Sequence, residues 1–189
     1  YEMQRSLVGS EMCIRDRLED LINEFFEITR FNIYDITLQY TKINLTRLLE
    51  QLVYEFKPML NTKNLQCNLC VDDDIMLRCD ADKIQRVFDN LLRNAVIYSF
   101  ENTDITISAQ CQEDTVSIIF CNHGDTLPEE KLNRIFEQFY RLDAARSTSS
   151  GGAGLGLAIA KQIVELHNGT IVAESQEDQN KFSITLPLA

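Results

Sequence analysis

The stretch that decides how this 189-residue chain is interpreted is Gly151-Gly152-Ala153-Gly154-Leu155-Gly156-Leu157. Four of the chain's seven glycines lie within six positions here, and a helical pattern from Ala158 to Val164 follows directly. Glycine permits positive φ and a close approach of the backbone to a ligand. The start of a helix adds unpaired N–H groups and a positive dipole end, which suit an anion. The stretch fits a phosphate-binding loop and, equally well, an ordinary flexible loop before a helix.

Composition and charge describe an ordinary globular chain with an acidic balance. Hydrophobic residues make up 44% and charged residues 25% of the sequence, and the formal net charge is −11. At this length we expect one good domain plus an accessory element. The acidic balance disfavours nucleic acid and anionic membrane surfaces as partners. No run approaches the roughly 18 apolar residues of a membrane span, so we expect the chain as given to be soluble.

The six cysteines show no spacing typical of a secreted disulfide framework. Cys67 and Cys70 have the CxxC form that a metal clip would use, but they lie in a strand-like segment, Leu65–Val71. Residues three apart on a strand point to opposite faces, and no second pair accompanies them. We interpret the cysteines as structural thiols in a reducing compartment, which predicts a cytoplasmic location for the chain as given.

Residues 1–17 lack the apolar period of the segment that follows, and they contribute no net charge. The run from Ser6 to Arg17, SLVGSEMCIRDR, looks like the translation of a transposase adapter used in sequencing libraries. Our hypothesis is that an assembly artefact replaced the natural sequence, so residues 1–17 are excluded from functional reasoning. The alternative is a genuine short amphipathic lead-in. A long read across the locus that encodes the same twelve residues would contradict the hypothesis.

A wide apolar stripe from Leu18 to Ile36 follows steps of three and four, and it predicts a helix that packs in a bundle or dimer. Thr41–Asn44 is a predicted break with β-type residues. A second helix is expected to start near Asn44 or Thr46, and Pro58 is expected to end or kink it. Strands are predicted at Leu65–Val71, Ile75–Cys79, Asp104–Cys111, Thr115–Phe120, Thr170–Glu174 and Phe182–Leu186. A loop is predicted at Cys121–Pro128. A short helix is expected at Glu129–Arg134, and another helix from the glycines to about His167.

A third helix is predicted from Asp80 or Asp82, either of which can cap it, to about Tyr98. Its asparagines Asn90 and Asn94 are spaced i,i+4, so they project from one face. Because asparagine is a poor helix former, two of them on one face indicate either an ordinary polar face or a site.

Four motifs follow one another along the chain: Asn90-Leu91-Leu92-Arg93-Asn94-Ala95, Asn122-His123-Gly124, Phe136-Glu137-Gln138-Phe139-Tyr140-Arg141 and Gly152-Ala153-Gly154-Leu155-Gly156-Leu157. The set resembles the N, G1, F and G2 boxes of bacterial sensor histidine kinases, which belong to the ATPase superfamily of gyrase, the Hsp90 chaperones and MutL. The match covers residues 43–189 as an ATP-binding catalytic domain, and residues 18–42 resemble the second helix of the dimerisation hairpin. Residues 134–156 look especially like the sensor kinases of vancomycin resistance. The resemblance implies an α+β fold: a two-layer α/β sandwich whose mixed sheet is covered on one side by helices, preceded by the dimerisation helix.

The resemblance also implies roles for single residues around Mg²⁺ and ATP. Asn94 would be the main Mg²⁺ ligand, and Asn90 would support the metal and the phosphates and take part in catalysis. Amide oxygens one helical turn apart suit a cation that shares its coordination with phosphates and water. Arg141 would neutralise phosphate charge during transfer, while Phe136 and Phe139 would anchor the lid or belong to the core. The other implied cofactor-binding residues are Tyr98 beside the adenosine, Asn122 and Gly124 at the adenine, and Gly152, Gly154, Leu155 and Gly156 around the phosphates.

Three positions depart from the family's pattern. Asn122 stands where an aspartate usually reads the adenine amino group, and its carbonyl can accept that hydrogen bond only without charge assistance. Thr126 replaces the second glycine of the G1 box, which predicts a stiffer loop. Ile97 replaces a lysine that often precedes the tyrosine. Together these departures predict retained but weaker nucleotide binding, and wild-type-like ATP affinity after Asn122→Ala would contradict the adenine role.

The implied function is transfer of the ATP γ-phosphate to a histidine, for relay to an aspartate of a response regulator. The family's phosphoacceptor motif is absent from this sequence. Its two histidines are His123, interpreted as a turn residue, and His167, interpreted as a favourable partner of a helix dipole. We therefore expect the chain to bind Mg·ATP without phosphorylating itself. The intact protein would be a homodimer in the cell membrane, attached through upstream segments, with this domain on the cytoplasmic side.

Two alternatives belong to other functional classes. One is a degenerate nucleotide-binding module that signals by association without phosphoryl transfer, which Asn122 and Thr126 favour. The other is a different member of the superfamily, such as an anti-sigma-factor serine kinase or an ATPase clamp. The box from Phe136 to Arg141 and the preceding bundle-type helix argue against this second alternative. Transfer to a separately supplied histidine-bearing helix would exclude the first.

Overall fold

The structure is a computed structural model that describes residues 37–72, 74–141 and 154–188, all within the unit of the chain that begins at Thr37. Gly152 and residues 18–36 of the dimerisation helix predicted over residues 18–42 lie outside the described residues. Residues 37–40 have no regular secondary structure and residues 41–42 lie in a strand, so the dimerisation helix predicted over residues 18–42 does not extend into the described part of the chain. The described elements are helices α1 (Leu45–Thr62), α2 (Ala81–Tyr98), α3 (Glu129–Leu132) and α4 (Gly156–Leu166), and strands β1 (Thr41–Asn44), β2 (Gln66–Val71), β3 (Met76–Cys79), β4 (Asp104–Gln112), β5 (Thr115–His123), β6 (Thr170–Gln176) and β7 (Gln179–Pro187).

Five strands form one mixed sheet in the order β2-β4-β5-β7-β6. β2 and β4 are parallel, and the other neighbours are antiparallel. β1 and β3 form a separate antiparallel pair, although the β1 segment was predicted to be a break. Side chains alternate between faces along each strand, and one face is buried. Its buried residues on β4, β5 and β7 are Ile105, Ile107, Ala109, Val116, Ile118, Phe120, Phe182, Ile184 and Leu186.

The apolar faces of α1, α2 and α4 cover this sheet face and complete the core. Phe88 of α2 packs against Phe120 of β5, with 5.8 Å between the ring centroids. Each large apolar side chain buried in this way stabilises the fold by about 1.5–3 kcal/mol. The helix layer on a mixed sheet confirms the predicted two-layer α/β sandwich. Among the described residues, none of the helices combines enough length and apolar character to cross a membrane.

Side-chain caps determine where α1 and α2 begin. The backbone N–H of Lys83 donates to Oδ1 of Asp80 at 3.2 Å, which identifies Asp80 as the cap of α2. In the same way, the backbone N–H of Arg47 donates to Oδ1 of Asn44 at 3.0 Å at the start of α1. Such caps stabilise a helix by about 0.5–2 kcal/mol. The cap at Asp80 fixes the residue at which α2 begins.

Pro58 was predicted to end or kink this helix; it lies inside α1, so the prediction of an end is wrong. Proline cannot donate the hydrogen bond that the carbonyl of Tyr54 would otherwise receive. Both residues are exposed, and 69% of Tyr54 is accessible. Water can therefore satisfy that carbonyl, and the helix continues to Thr62.

The strands around the G1 motif are longer than predicted. β5 continues to His123, through residues that were predicted to form a loop, and β7 already begins at Gln179. The two strands pair Asn122 with Asn180 and His123 with Gln179. Pairing with a neighbouring strand holds these polar residues in an extended conformation despite their preference for turns.

His167 is buried at the end of α4, with 2% of its surface exposed. The backbone N–H of Asp80 donates to its Nε2 at 3.0 Å, and its Nδ1 lies 2.8 Å from the carbonyl oxygen of Ile163. A ring that accepts at Nε2 and donates at Nδ1 is neutral. The ring thus donates to a carbonyl in the last turn of α4, as expected of a residue beside a helix end, and it also joins the end of α4 to the start of α2.

Burial alternates along β2, with Cys67 partly buried and Cys70 exposed, as expected for residues on opposite faces. Burial raises the pKa of Cys67 to about 11. Burial, together with the charge of Asp80, raises the pKa of Cys79 to about 12. Both thiols are therefore protonated near neutral pH, which agrees with a structural role.

Candidate nucleotide-binding site

One face of α2 carries the polar residues that the sequence singled out. Asn90, Asn94 and Tyr98 follow one another at i,i+4 spacing, so they form one stripe along the helix. The opposite face of α2 is buried in the core, which holds this stripe in place. Both asparagines are half-buried, and 37% of Tyr98 is exposed. Within the described part of the chain, Nδ2 of Asn90 is a buried donor without a hydrogen-bond partner.

The start of α4 lies directly beside Asn90. A Cβ added at Gly156 would lie 3.1 Å from Oδ1 of Asn90, so glycine is what allows the amide to come this close. Leu155 is 1% exposed, and its carbonyl accepts a hydrogen bond from the N–H of Ile159 at 2.9 Å. Leu155 thus anchors the first turn in the core. The N-box asparagine and the end of the glycine stretch meet because α2 packs against α4.

Gly154 adjoins the end of the F box. Its φ of +78° lies in the region that favours glycine, and its carbonyl accepts a hydrogen bond from the N–H of Phe139 at 3.1 Å. A Cβ at this position would lie 2.7 Å from the carbonyl oxygen of Tyr140 and 3.1 Å from Cγ of Arg141. Arg141 and Gly154 are therefore neighbours, although residues 142–153 separate them in the chain.

The two phenylalanines of the F box have different environments. Phe136 is half-buried and makes an edge-on contact with Phe182 of β7, with 6.5 Å between the ring centroids. Nζ of Lys161 lies 5.9 Å from the centre of the Phe136 ring. Phe139, in contrast, is 59% exposed and has a φ of +63°. Phe136 therefore anchors this segment to the sheet, and Phe139 does not belong to the core.

Asn122 and Gly124 lie against the end of α2. Asn122 is 2% exposed, and its Nδ2 has no hydrogen-bond partner among the described residues. A Cβ at Gly124 would overlap the carbonyl oxygen of Tyr98 and would lie 3.4 Å from Nδ2 of Asn122. The N–H of Phe100 donates to the carbonyl of His123 at 2.9 Å, which ties the end of β5 to the end of α2. The three residues predicted at the adenosine are thus held together.

The ionisable groups next to these asparagines do not provide a nucleophile. Burial raises the pKa of Cys121, and the charge of Lys181 opposes this only in part. Burial likewise raises the pKa of Asp89, which precedes Asn90 on α2. Cys121 is therefore a neutral thiol near pH 7. The groups found beside the site are the amides of Asn90 and Asn122 and the backbone around Gly154 and Gly156, with Arg141 next to Gly154.

Residues 79–189 match the protein family described as histidine kinase-, DNA gyrase B-, and HSP90-like ATPase. The match covers more than half of the chain and includes all four motifs. The chain belongs to this family. It carries the catalytic domain of a sensor histidine kinase, as the resemblance implied.

Relatives of this histidine kinase domain include sensor proteins of enterococci. VanS of Enterococcus faecium is 50% identical over 171 residues, which cover 90% of this chain and 44% of VanS. VanSC of Enterococcus gallinarum is 46% identical over 171 residues, which cover 90% of this chain and 47% of VanSC. These matches confirm the predicted similarity to vancomycin-resistance sensor kinases. The chain therefore spans less than half the length of either sensor protein.

A solved structure of a histidine kinase is similar to this one. The histidine kinase ThkA, in complex with the response regulator protein TrrA, is 26% identical and superposes with a TM-score of 0.77. The superposition covers 97% of this chain and 50% of the ThkA chain.

The predicted site residues of this kinase domain fall into three neighbouring groups. Asn94 is not in any of these groups and lies on α2 between Asn90 and Tyr98. Gly152 is outside the described residues. The groups are Asn90 with Gly156 and the adjoining Leu155, Arg141 with Gly154, and Tyr98 with Asn122 and Gly124.

Asn180 of β7 is a residue of this site that the sequence analysis missed. It stands opposite Asn122 in the sheet and is 6% exposed. Its Nδ2 donates to the carbonyl oxygen of Asp125 at 3.2 Å. In the predicted strand Phe182–Leu186, every second residue from Phe182 faces inward, and Asn180, two residues before Phe182, falls on the same face. That alternation is the signal that could have identified it.

The residues present fit Mg²⁺ and ATP. The Asn90 amide has an unpartnered buried atom, and turning it can offer either its oxygen or its N–H to a ligand. Mg²⁺ uses oxygen ligands and commonly shares them with phosphates and water. The absence of side chains at Gly154 and Gly156 leaves the backbone accessible beside Arg141 and Asn90.

Proposed function

We propose that this chain binds Mg·ATP and that the intact two-component sensor kinase transfers the γ-phosphate to a histidine, for relay to an aspartate of a response regulator. The observation that carries the proposal is the buried, unpartnered Nδ2 of Asn90, whose amide lies beside Gly156. An unpaired buried donor is costly unless a ligand satisfies it. The first turn of α4 next to it is a favourable position for phosphate.

Each predicted residue then has a part in positioning or charge neutralisation. Asn94 and Asn90 would hold Mg²⁺, which supplies neutralisation of phosphate charge. Arg141 would neutralise charge on the transferred group, as lid-side arginines do in phosphoryl transfer. Most of the catalysis would come from this positioning and electrostatic stabilisation. The phosphates would be received by the N–H groups of Gly152, Gly154, Leu155 and Gly156, and the adenosine by Tyr98, Asn122 and Gly124.

The organisation of the intact protein is part of the proposal. Residues 43–189 would form the catalytic domain, residues 18–42 would contain the second dimerisation helix, and residues 1–17 would be the artefact. The intact protein would be a homodimer in the cell membrane, with upstream membrane segments and this domain on the cytoplasmic side. The similarity to sensor proteins and to ThkA, which was solved with a response regulator protein, supports these assignments.

The experiment supplies the missing phosphoacceptor separately. The 189-residue chain is incubated with Mg²⁺, ATP labelled at the γ-phosphate and a separately produced dimerisation hairpin that carries the histidine. We expect label on the hairpin and none on the chain itself. Asn94→Ala should lower the initial rate at least about tenfold, whereas Asn61→Ala, an exposed change in α1, should leave it unchanged. An equal rate after Asn94→Ala would contradict the assigned site.

The second candidate is a nucleotide-binding module that signals by association. Asn122 favours it because the charge-assisted contact to adenine is lost. Thr126 also favours it because its side chain is hydrogen-bonded to Asp178, which restrains the loop. The same assay separates the two candidates. ATP binding by calorimetry together with an unlabelled hairpin supports the module and contradicts the kinase.

A further inference from the structure

Two asparagine amides stand side by side at the base end of the proposed site. Asn122 and Asn180 are register partners on the neighbouring strands β5 and β7, and their side chains share the buried face of the sheet. They are 2% and 6% exposed. Nδ2 of Asn122 and Oδ1 of Asn180 have no hydrogen-bond partner in the described part of the chain. The pair therefore holds one unpaired donor and one unpaired acceptor, an arrangement that a ligand can satisfy.

The two amides differ in how firmly their orientation is held. Nδ2 of Asn180 donates to the carbonyl of Asp125 at 3.2 Å, so its Oδ1 is left as the free acceptor. Nδ2 of Asn122 has no such partner, so this amide can turn and offer either its N–H or its oxygen. Both amides adjoin Gly124: a Cβ there would lie 3.1 Å from Nδ2 of Asn180 and 3.4 Å from Nδ2 of Asn122.

The chemistry of the two common purines differs at the edge that such a pair would contact. Adenine presents an amino donor at N6 and an acceptor at N1, whereas guanine presents an acceptor at O6 and a donor at N1. A carboxylate at position 122 can only accept hydrogen bonds, so where it faces the 6-position of the base it matches the amino group of adenine and repels O6 of guanine. A turnable amide matches either base. The free acceptor of Asn180 can receive the N1–H of guanine or the amino group of adenine.

We propose that the Asn122–Asn180 pair reads the base and admits guanine as well as adenine nucleotides. The substrate class is then the purine nucleoside triphosphates rather than ATP alone. This inference rests on the proposed function, because it assumes that the nucleotide base binds beside Gly124. Asn122 determines specificity in this scheme, and Asn180 provides the second contact.

The test measures nucleotide dissociation constants of the 189-residue chain by isothermal titration calorimetry with Mg²⁺ and ATP, GTP or CTP. We expect the value for GTP to lie within about tenfold of the value for ATP, because both purines find two partners. Asn122→Asp should raise the ratio of the GTP value to the ATP value at least about tenfold, because a carboxylate cannot donate to O6. Asn68→Asp, an exposed change on β2 with the same added charge, should leave the ratio unchanged.

The possible results separate this inference from the proposed function. GTP binding more than tenfold weaker than ATP binding, or an unchanged ratio after Asn122→Asp, overturns the inference and leaves the proposed function standing. CTP binding as tight as GTP binding also overturns it, because the site would then not select purine nucleotides. Failure of all three nucleotides to bind overturns both.

Discussion

Thr126, in the loop after β5, and Asp178, in the turn between β6 and β7, are joined by two hydrogen bonds. The backbone N–H of Asp178 donates to Oγ1 of Thr126 at 2.9 Å, and that hydroxyl lies 3.1 Å from Oδ1 of Asp178, to which it donates. The carbonyl of Asp178 also accepts a hydrogen bond from the N–H of Gly124 at 2.9 Å. The turn that Asp178 occupies is tight, with its φ at +57°. The threonine in place of the second G1 glycine thus ties one loop of the proposed site to the sheet.

Thr126→Val should loosen this connection, because valine keeps the shape of threonine but cannot form either side-chain hydrogen bond. We expect the free energy of unfolding to fall by about 0.5–1.5 kcal/mol in urea denaturation. The amide hydrogen of Asp178 should exchange faster with solvent. Thr170→Val, an exposed change at the start of β6, is the matched control and should alter neither measurement. Unchanged exchange at Asp178 would show that the loop is held by other contacts.

Asn90→Ala should stabilise the fold and weaken nucleotide binding at once. The substitution removes a buried donor without a partner and replaces a poor helix former with the best one. We expect the free energy of unfolding to rise by about 1 kcal/mol while the ATP dissociation constant increases at least about tenfold. Asn61→Ala, an exposed change in α1, should change the unfolding free energy by less than about 0.7 kcal/mol and leave ATP affinity intact. A loss of stability at Asn90 would mean that its amide has a structural partner.

Gly124→Ala should mainly destabilise the fold, whereas Gly156→Ala should mainly weaken ATP binding. A Cβ at position 124 would overlap the carbonyl of Tyr98, which belongs to the backbone and cannot move alone. We therefore expect Gly124→Ala to lower the free energy of unfolding by about 1–3 kcal/mol. A Cβ at position 156 meets only the side chain of Asn90, at 3.1 Å, and alanine is favoured in a helix. Gly156→Ala should therefore change stability by less than about 1 kcal/mol yet weaken ATP binding about tenfold, as measured by calorimetry.

The described cysteines should differ widely in their reactivity toward iodoacetamide at pH 8. Burial raises the pKa of Cys67 to about 11 and that of Cys79 to about 12, so their thiolate fractions are at most about one in a thousand. Cys70 and Cys111 are exposed. Peptide mass spectrometry should show rapid labelling of Cys70 and Cys111, and slow labelling of Cys67 and Cys79 until the chain is unfolded. Equal labelling rates in the folded chain would contradict the burial of these thiols.

The raised pKa of Cys79 also predicts how the free energy of unfolding responds to alkaline pH. The thiol of Cys79 has an ordinary pKa of 9.0 and a folded-state pKa of about 12, so the folded chain binds its proton more tightly than the unfolded chain. Its contribution to stability is complete below about pH 9 and is lost as the pH rises through about 12. Urea denaturation at increasing pH measures this loss, and Cys79→Ala should reduce the pH dependence in that window.

Much of the fold could be predicted from local patterns. The apolar periods of α1 and α2, the cap at Asp80 and the alternation of β4 and β5 all depend on residues close together in the chain. The errors arose where distant segments decide the structure. Thr41–Asn44 becomes a strand only because β3 lies beside it, and β5 reaches His123 only because β7 pairs with it. Pro58 is tolerated in α1 because its position is exposed.

The candidate site was predictable as a set of motifs and not as a set of contacts. The sequence by itself determined the order of the four motifs, the two asparagines on one helix face and the glycines before α4, since helical spacing and glycine chemistry are local properties. Only the tertiary structure decided that Asn180 stands beside Asn122 and that Asp178 bonds Thr126. Sheet register sets both contacts, and register depends on the packing of the whole core rather than on any short stretch of sequence.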